Sequence, residues 1–196
     1  MNAINKISVW IGHRYSATLM LILFLIVFGF FWLFNFSPFP VSNAEFIRLS
    51  GHEGLLDTMF FYTAQEAFMA LAHYGEKGRE LYQIFIAADF LFIIFYSFAF
   101  AFLMTAITRL VYGENSLWSR LNLLPLTIGF WDCIENICIY SMLRVYPSNN
   151  AVLGTISGYA TLLKWLLTVV LILFLIYGSI LLLLHYLGFE QFTIRR

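Results

Sequence analysis

Four long apolar runs alternate with short polar stretches along the chain. Ala17 to Phe36 is a run without a charged residue. At 1.5 Å per residue a helix of ~20 residues crosses a hydrocarbon layer of ~30 Å, so this run is long enough to span. Tyr82 to Thr108 is a second run, interrupted only by Asp89. Leu121 to Leu143 is a third, and Gly154 to Leu187 holds a fourth with Lys164 near its start. The pattern predicts an all-α membrane protein. Four transmembrane helices, at about 17–36, 82–108, 121–143 and 160–185, form a bundle in one integral membrane domain covering 1–196, with a short amphipathic helix in the first extracytoplasmic segment.

That segment, 37–81, is the only sizeable stretch outside the spans. Pro38 and Pro40 stop the first helix. Thr63 and Glu66 have the spacing of a capping box, and Gly75 suits a left-handed stop. Phe68, Met69, Leu71 and Ala72 between them predict a helix that lies on the membrane surface or caps the bundle. Ser42-Asn43-Ala44 loosely fits a signal-peptide cleavage site, but the preceding run is longer and more aromatic than such a peptide needs, so it is read as an anchor. Tyr146 to Asn150 (YPSNN) is a turn.

The third span has a sided pattern. At about 100° per residue, Pro125, Gly129, Asp132, Glu135, Asn136, Ile139 and Leu143 share one side. Leu123, Thr127, Phe130, Ile134, Ile137 and Ser141 share the other, where the two hydroxyls can bond back to the preceding turn. The first side should face protein and the second lipid. On insertion scales a carboxylate at the middle of a span costs roughly 2.5–3.5 kcal/mol, so Asp132 and Glu135 need partners or protons.

Composition supports the membrane class. Only 11% of residues are charged, against about 25% in ordinary soluble domains, and mean hydropathy is +0.82. Net charge is zero and no basic stripe is present, which argues against a nucleic-acid partner. Cys133 and Cys138 sit five apart on one helix, point away from each other and are not expected to pair. Lys6, Arg14, Arg109, Arg120, Arg195 and Arg196 fall on one side of the predicted topology, while Arg48, Lys77, Arg79 and Arg144 fall on the other among more acidic neighbours. The bias places both termini in the cytoplasm.

This topology brings the intramembrane polar residues to similar depths. Asp89, Asp132, Glu135 and Lys164, from three spans, are expected in the outer half or the middle of the bilayer. They should meet in one interior pocket beneath the 37–81 segment. Tyr82, Tyr96, Asn136 and Thr168 are expected to supply hydrogen bonds, and Trp131 and Trp165 to wall it. Tyr82, Asp89 and Tyr96 recur at seven-residue spacing along one line of their helix. Three carboxylates exceed one lysine, so at least one should be protonated or hold a cation. Asp132 and Glu135 are the candidate catalytic residues if the protein is an enzyme. The ligand-binding set is Asp89, Asp132, Glu135, Asn136, Tyr96, Tyr82 and Lys164. His52 and His73 lie near Glu53 and Glu66 and are weak metal candidates, since no ligand motif supports them.

The run Tyr74-Gly75-Glu76-Lys77-Gly78-Arg79-Glu80-Leu81-Tyr82, then Asp89, then Asp132-x-x-Glu135-Asn136, resembles an uncharacterised group of small bacterial membrane proteins with four predicted spans. The resemblance covers roughly residues 57–147 and implies an architecture, a shared polar site and a bacterial inner (plasma) membrane as the expected location, not an activity. Four-helix sterol isomerases of the emopamil-binding type also carry acidic residues inside a bundle, which is a fold-level analogy. Three functions compete. The first is a small ligand, cation or proton bound at the acidic site, as in a transporter component, which would call for a homo-oligomer. The second is an intramembrane enzyme acting on a lipid or isoprenoid through a carboxylate pair. The third is an assembly protein whose polar cluster only joins helices. The expected partners are the bilayer and a small ligand, ion or lipid; no cofactor is specified.

Overall fold

The apolar runs become helices whose ends are set by local chemistry. The computed structural model describes residues 3–39, 42–50, 54–114 and 116–187. Helix α1 (Ala3–Arg14) leads through Tyr15 and Ser16 into α2 (Ala17–Phe36), whose first turn is capped by the Ser16 hydroxyl. Ser42 caps α3 (Asn43–Leu49) in the same way. A single 3-10 turn, Leu56–Thr58, precedes α4 (Ala64–His73). The capping box is complete: Glu66 N–H donates to Thr63 Oγ1 at 3.2 Å and Thr63 N–H donates to Glu66 Oε2 at 2.7 Å.

The second long helix, α5 (Gly75–Tyr112), begins seven residues ahead of Tyr82, where the apolar run starts. Gly75 does adopt a left-handed conformation (φ +62°), but it turns the chain directly into α5 instead of leaving a loop. Gly113 (φ +83°) ends α5. A 3-10 stretch, Leu117–Leu123, feeds α6 (Leu124–Val145), with Pro125 in the first turn where its missing N–H costs nothing. The Asn150 side chain accepts from the N–H groups of Val152 and Leu153 to start α7 (Ala151–Tyr186).

Among the described residues four helices are long and apolar enough to cross a membrane: α2, α5, α6 with its 3-10 lead, and α7. They run alternately up and down. α6 packs against α5 and α7, and α2 packs against α5. The most apolar windows of α5 and of the 3-10 and α6 stretch are 44% buried, whereas that of α2 is 6% buried, so α2 is peripheral. α4 closes one end of the bundle, lying against α7. Its Ala67, Phe68 and Leu71 join Phe46, Tyr62, Tyr74, Tyr82 and Phe85 in a buried aromatic core. Each large side chain so buried contributes ~1.5–3 kcal/mol where the alternative is water. α1 crosses the opposite end, pinned by Arg109 donating to Gly12 O (2.9 Å) and Asn122 donating to Ser8 O (3.1 Å).

The sidedness of α6 holds throughout. Pro125, Gly129, Asp132, Glu135, Asn136, Ile139 and Leu143 are all buried, and none of Leu123, Thr127, Phe130, Ile134, Ile137 and Ser141 is. Thr127 and Ser141 donate to the carbonyls of Leu123 and Ile137, one turn back.

Candidate functional site: an ionic cluster at one end of an apolar cavity

Lys164 lies on the buried side of α7 and is 8% exposed. That side is a stripe of small and polar residues at helical spacing: Gly154, Ser157, Gly158, Thr161 and Lys164. The glycines let the chain before α4 lie directly on α7. A Cβ at Gly158 would fall 2.0 Å from the Tyr62 carbonyl oxygen, and one at Gly154 would fall 2.8 Å from Ala64 Cα. This close approach brings the 55–63 segment over the Lys164 amine.

The amine has three oxygen partners. It donates to Asp132 Oδ1 at 3.0 Å and to the Asp57 backbone carbonyl at 3.3 Å, and it ion-pairs with Glu135 Oε2 at 2.5 Å. The other oxygens of both acids are also held: Thr161 Oγ1 donates to Glu135 Oε1 (2.6 Å), and Tyr96 OH donates to Asp132 Oδ2 (2.8 Å). Glu135 is fully buried. Two turns before Tyr96, towards the α4 end of α5, Asp89 accepts a hydrogen bond from Asn136 Nδ2 at 2.7 Å and is 6% exposed. The ionisable groups expected to share a pocket thus do come together, from α5, α6 and α7.

A cavity of about 470 Å³ opens beside this cluster. α2 and α7 flank it, and α5 and α6 form its back. Asp57, Asp89, Asp132, Tyr96 and Lys164 line its polar end. Phe34, Leu55 and Phe85 surround that end with Asn35, Asn43 and Thr58, and Phe92, Phe100, Ile128, Leu171, Ile172 and Leu175 carry the apolar lining onward. From Lys164 to Leu175 the α7 wall runs ~16 Å at 1.5 Å per residue. Trp165 is part of the wall, and its buried Nε1 has no hydrogen-bond partner.

Not every candidate touches the cavity. Glu135 and Asn136 stand behind it and orient Lys164 and Asp89. Tyr82 is fully buried above it and donates to Asp57 Oδ1 at 3.3 Å. Thr168 lines the cavity, but its hydroxyl donates to the Lys164 carbonyl on its own helix. Trp131 is not among the lining residues, because its position on α6 is turned away from Asp132. His73 is exposed in the last turn of α4, and His52 lies outside the described residues. Among the described residues no group of three or more His, Cys, Asp and Glu side chains could hold a metal ion.

Sequence reasoning missed Asp57, Tyr62, Ser157 and Thr161. Asp57 sits in an isolated 3-10 turn with no periodicity to reveal it. Burial lifts its carboxyl above the usual aspartate range; Lys164 opposes that rise and Asp132 adds to it. Tyr62 OH and Ser157 Oγ share a 2.5 Å hydrogen bond, and burial together with the nearby Glu135 charge raises the phenol further above its usual range. The three-to-four-residue spacing of small and polar positions on α7 was the one available signal for Ser157 and Thr161.

Fold and site together define a multi-pass helical membrane protein whose buried charges gather beside a cavity. In comparisons with known proteins, no family model, no curated protein and no solved structure matches the chain.

Proposed function

We propose that the protein binds a single-chain amphiphile, a lipid or an isoprenoid, in the cavity between α2 and α7. The chain lies along Phe92, Phe100, Ile128 and Leu171, and the polar head sits at Asp57, Asp89 and Asp132. The observation that carries this reading is the division of one cavity into an ionic end and a long apolar end. Ligand sites are commonly clefts of ~300–1,000 Å³, mostly apolar with a few convergent polar groups, and this cavity has that make-up. Ionisable groups inside a membrane are rare and costly, which makes them the first place to look for a functional site. A role as helix glue accounts for the Lys164, Asp132 and Glu135 set and for the bonds of Asp89 to Asn136 and of Asp57 to Tyr82; it does not account for the cavity that opens beside them.

The second reading is chemistry on the bound chain. It draws on the hydrogen-bonded series Tyr96, Asp132 and Lys164, which places proton donors and an acceptor on the same wall. It uses the same ligand position, so one experiment serves both. Mass spectrometry of what stays bound to the detergent-purified protein is compared between wild type and Leu171→Trp. Leu171 is buried and lines the apolar part, so the larger ring fills that space without touching an ionisable group. We expect a specific amphiphile in the wild type and its loss in the variant, with helix content unchanged by circular dichroism. The same bound set in both proteins sinks the reading.

A further inference from the structure

The two acids that lack a cation are both on the cavity wall. We infer that the head they receive is an ammonium, so that the ligand is a single-chain amine and not the corresponding alcohol or acid. This rests on the amphiphile reading above and narrows it to one headgroup chemistry.

Asp132 and Glu135 share the Lys164 amine and each holds a hydroxyl partner as well. Asp89 and Asp57 have neither an ammonium nor a guanidinium against their carboxyl oxygens among the described residues. Asp89 accepts from the Asn136 amide. Asp57 Oδ1 accepts from the Tyr82 phenol at 3.3 Å, and Lys164 reaches the Asp57 backbone carbonyl, not its carboxylate. Arg48, on the neighbouring α3, is exposed and committed to Glu45 at 2.8 Å. A carboxylate offers about four lone-pair sites, so each of the two acids keeps acceptor capacity. Both contribute to the lining of the same cavity as Lys164.

The charge count points the same way. Four carboxylates surround one lysine, so three negative charges stand uncompensated when all are ionised. An ammonium head supplies a positive charge and three N–H donors, and charge-assisted hydrogen bonds are about twice as strong as neutral ones. A carboxylate or phosphate head would add like charge beside Asp57 and Asp89. An alcohol could hydrogen-bond but would bring no positive charge, leaving the excess to be met by protonation. The apolar part of the cavity then selects for a long chain on that amine.

The test uses the full chain in phosphatidylcholine nanodiscs, whose net-neutral headgroups do not themselves pair with an ammonium; all three probes enter the bilayer through their chains, so affinities are compared at equal mole fraction in the lipid. Native mass spectrometry titrations compare tetradecylamine, tetradecanol and myristate, which share a chain length and differ in the head. We expect tetradecylamine to bind about tenfold more tightly than tetradecanol, with myristate weakest. Asp89→Asn should reduce amine affinity about tenfold and leave tetradecanol within about twofold. Asp57→Asn, outside the spanning helices, repeats the test should the Asp89 variant misfold. Equal binding of amine and alcohol, or an unchanged amine affinity in both variants, overturns the ammonium assignment while leaving the cavity reading intact. Failure of all three probes to bind overturns the cavity reading itself.

Discussion

Lys164 is the one cation, among the described residues, around which three helices and the 55–63 segment are joined. Removing it leaves two buried carboxylates without their counter-ion, one of them fully buried. Breaking one side of such a buried arrangement typically costs ~3–5 kcal/mol, since the remaining charge has neither water nor a partner. Lys164→Met is therefore expected to lose stability on that scale, and adding Glu135→Gln should restore part of it. Unfolding in mixed micelles titrated with sodium dodecyl sulfate measures both; a single variant as stable as wild type would mean the ion pairs contribute little. Residues of this kind were legible from sequence where a charge stood out against an apolar helix, as Asp89, Asp132, Glu135 and Lys164 do. Asp57 was not, because a carboxylate in a polar loop looks solvated until the fold lays that loop over a buried lysine.

Whole helices were read more securely than their ends. The buried side of α6 carries Asp132, Glu135 and Asn136, because the middle of a spanning helix tolerates charge only where it meets protein. Gly75 ends α4 as its left-handed conformation suits, and α5 starts at once because the polar turns 75–81 continue the helix ahead of the apolar run. On α7 the apolar run hid a packing stripe, since Gly154 and Gly158 carry no hydropathy signal of their own. That stripe supports a comparison. A methyl at Gly158 would meet the Tyr62 backbone at 2.0 Å, whereas one at Gly129 would meet the Ser97 hydroxyl at 2.3 Å, an atom that can rotate away. Overpacking costs ~1–3 kcal/mol where neighbours cannot yield, so Gly158→Ala should fall in that range and Gly129→Ala below it. Thermal unfolding in detergent separates them. A reversed order would show that the 55–63 segment moves more freely than the α5–α6 crossing.

At the scale of the molecule, the arrangement of helices decides how a ligand reaches the ionic cluster. α4 and the 55–63 segment cover the cavity at one end, and α1 crosses the bundle at the other. The flanking helices α2 and α7 are the least buried of the four, and the cavity lining includes their exposed residues Asn35 and Ile172. An amphiphile held in the bilayer would enter sideways between them, keeping its chain in hydrocarbon throughout. Trp165 provides a probe of that route, because it lines the cavity beside Lys164. In a variant retaining Trp165 and carrying Phe at Trp10, Trp32, Trp118 and Trp131, lipids brominated along the acyl chain are expected to quench its fluorescence strongly. Leu171→Phe, which narrows the apolar part, should weaken that quenching. Ile172→Ala, which removes bulk from the α7 wall, should not. Trp165 fluorescence untouched by brominated chains would mean that lipid does not reach the cavity through the α2–α7 side, and that any ligand enters past the 55–63 segment.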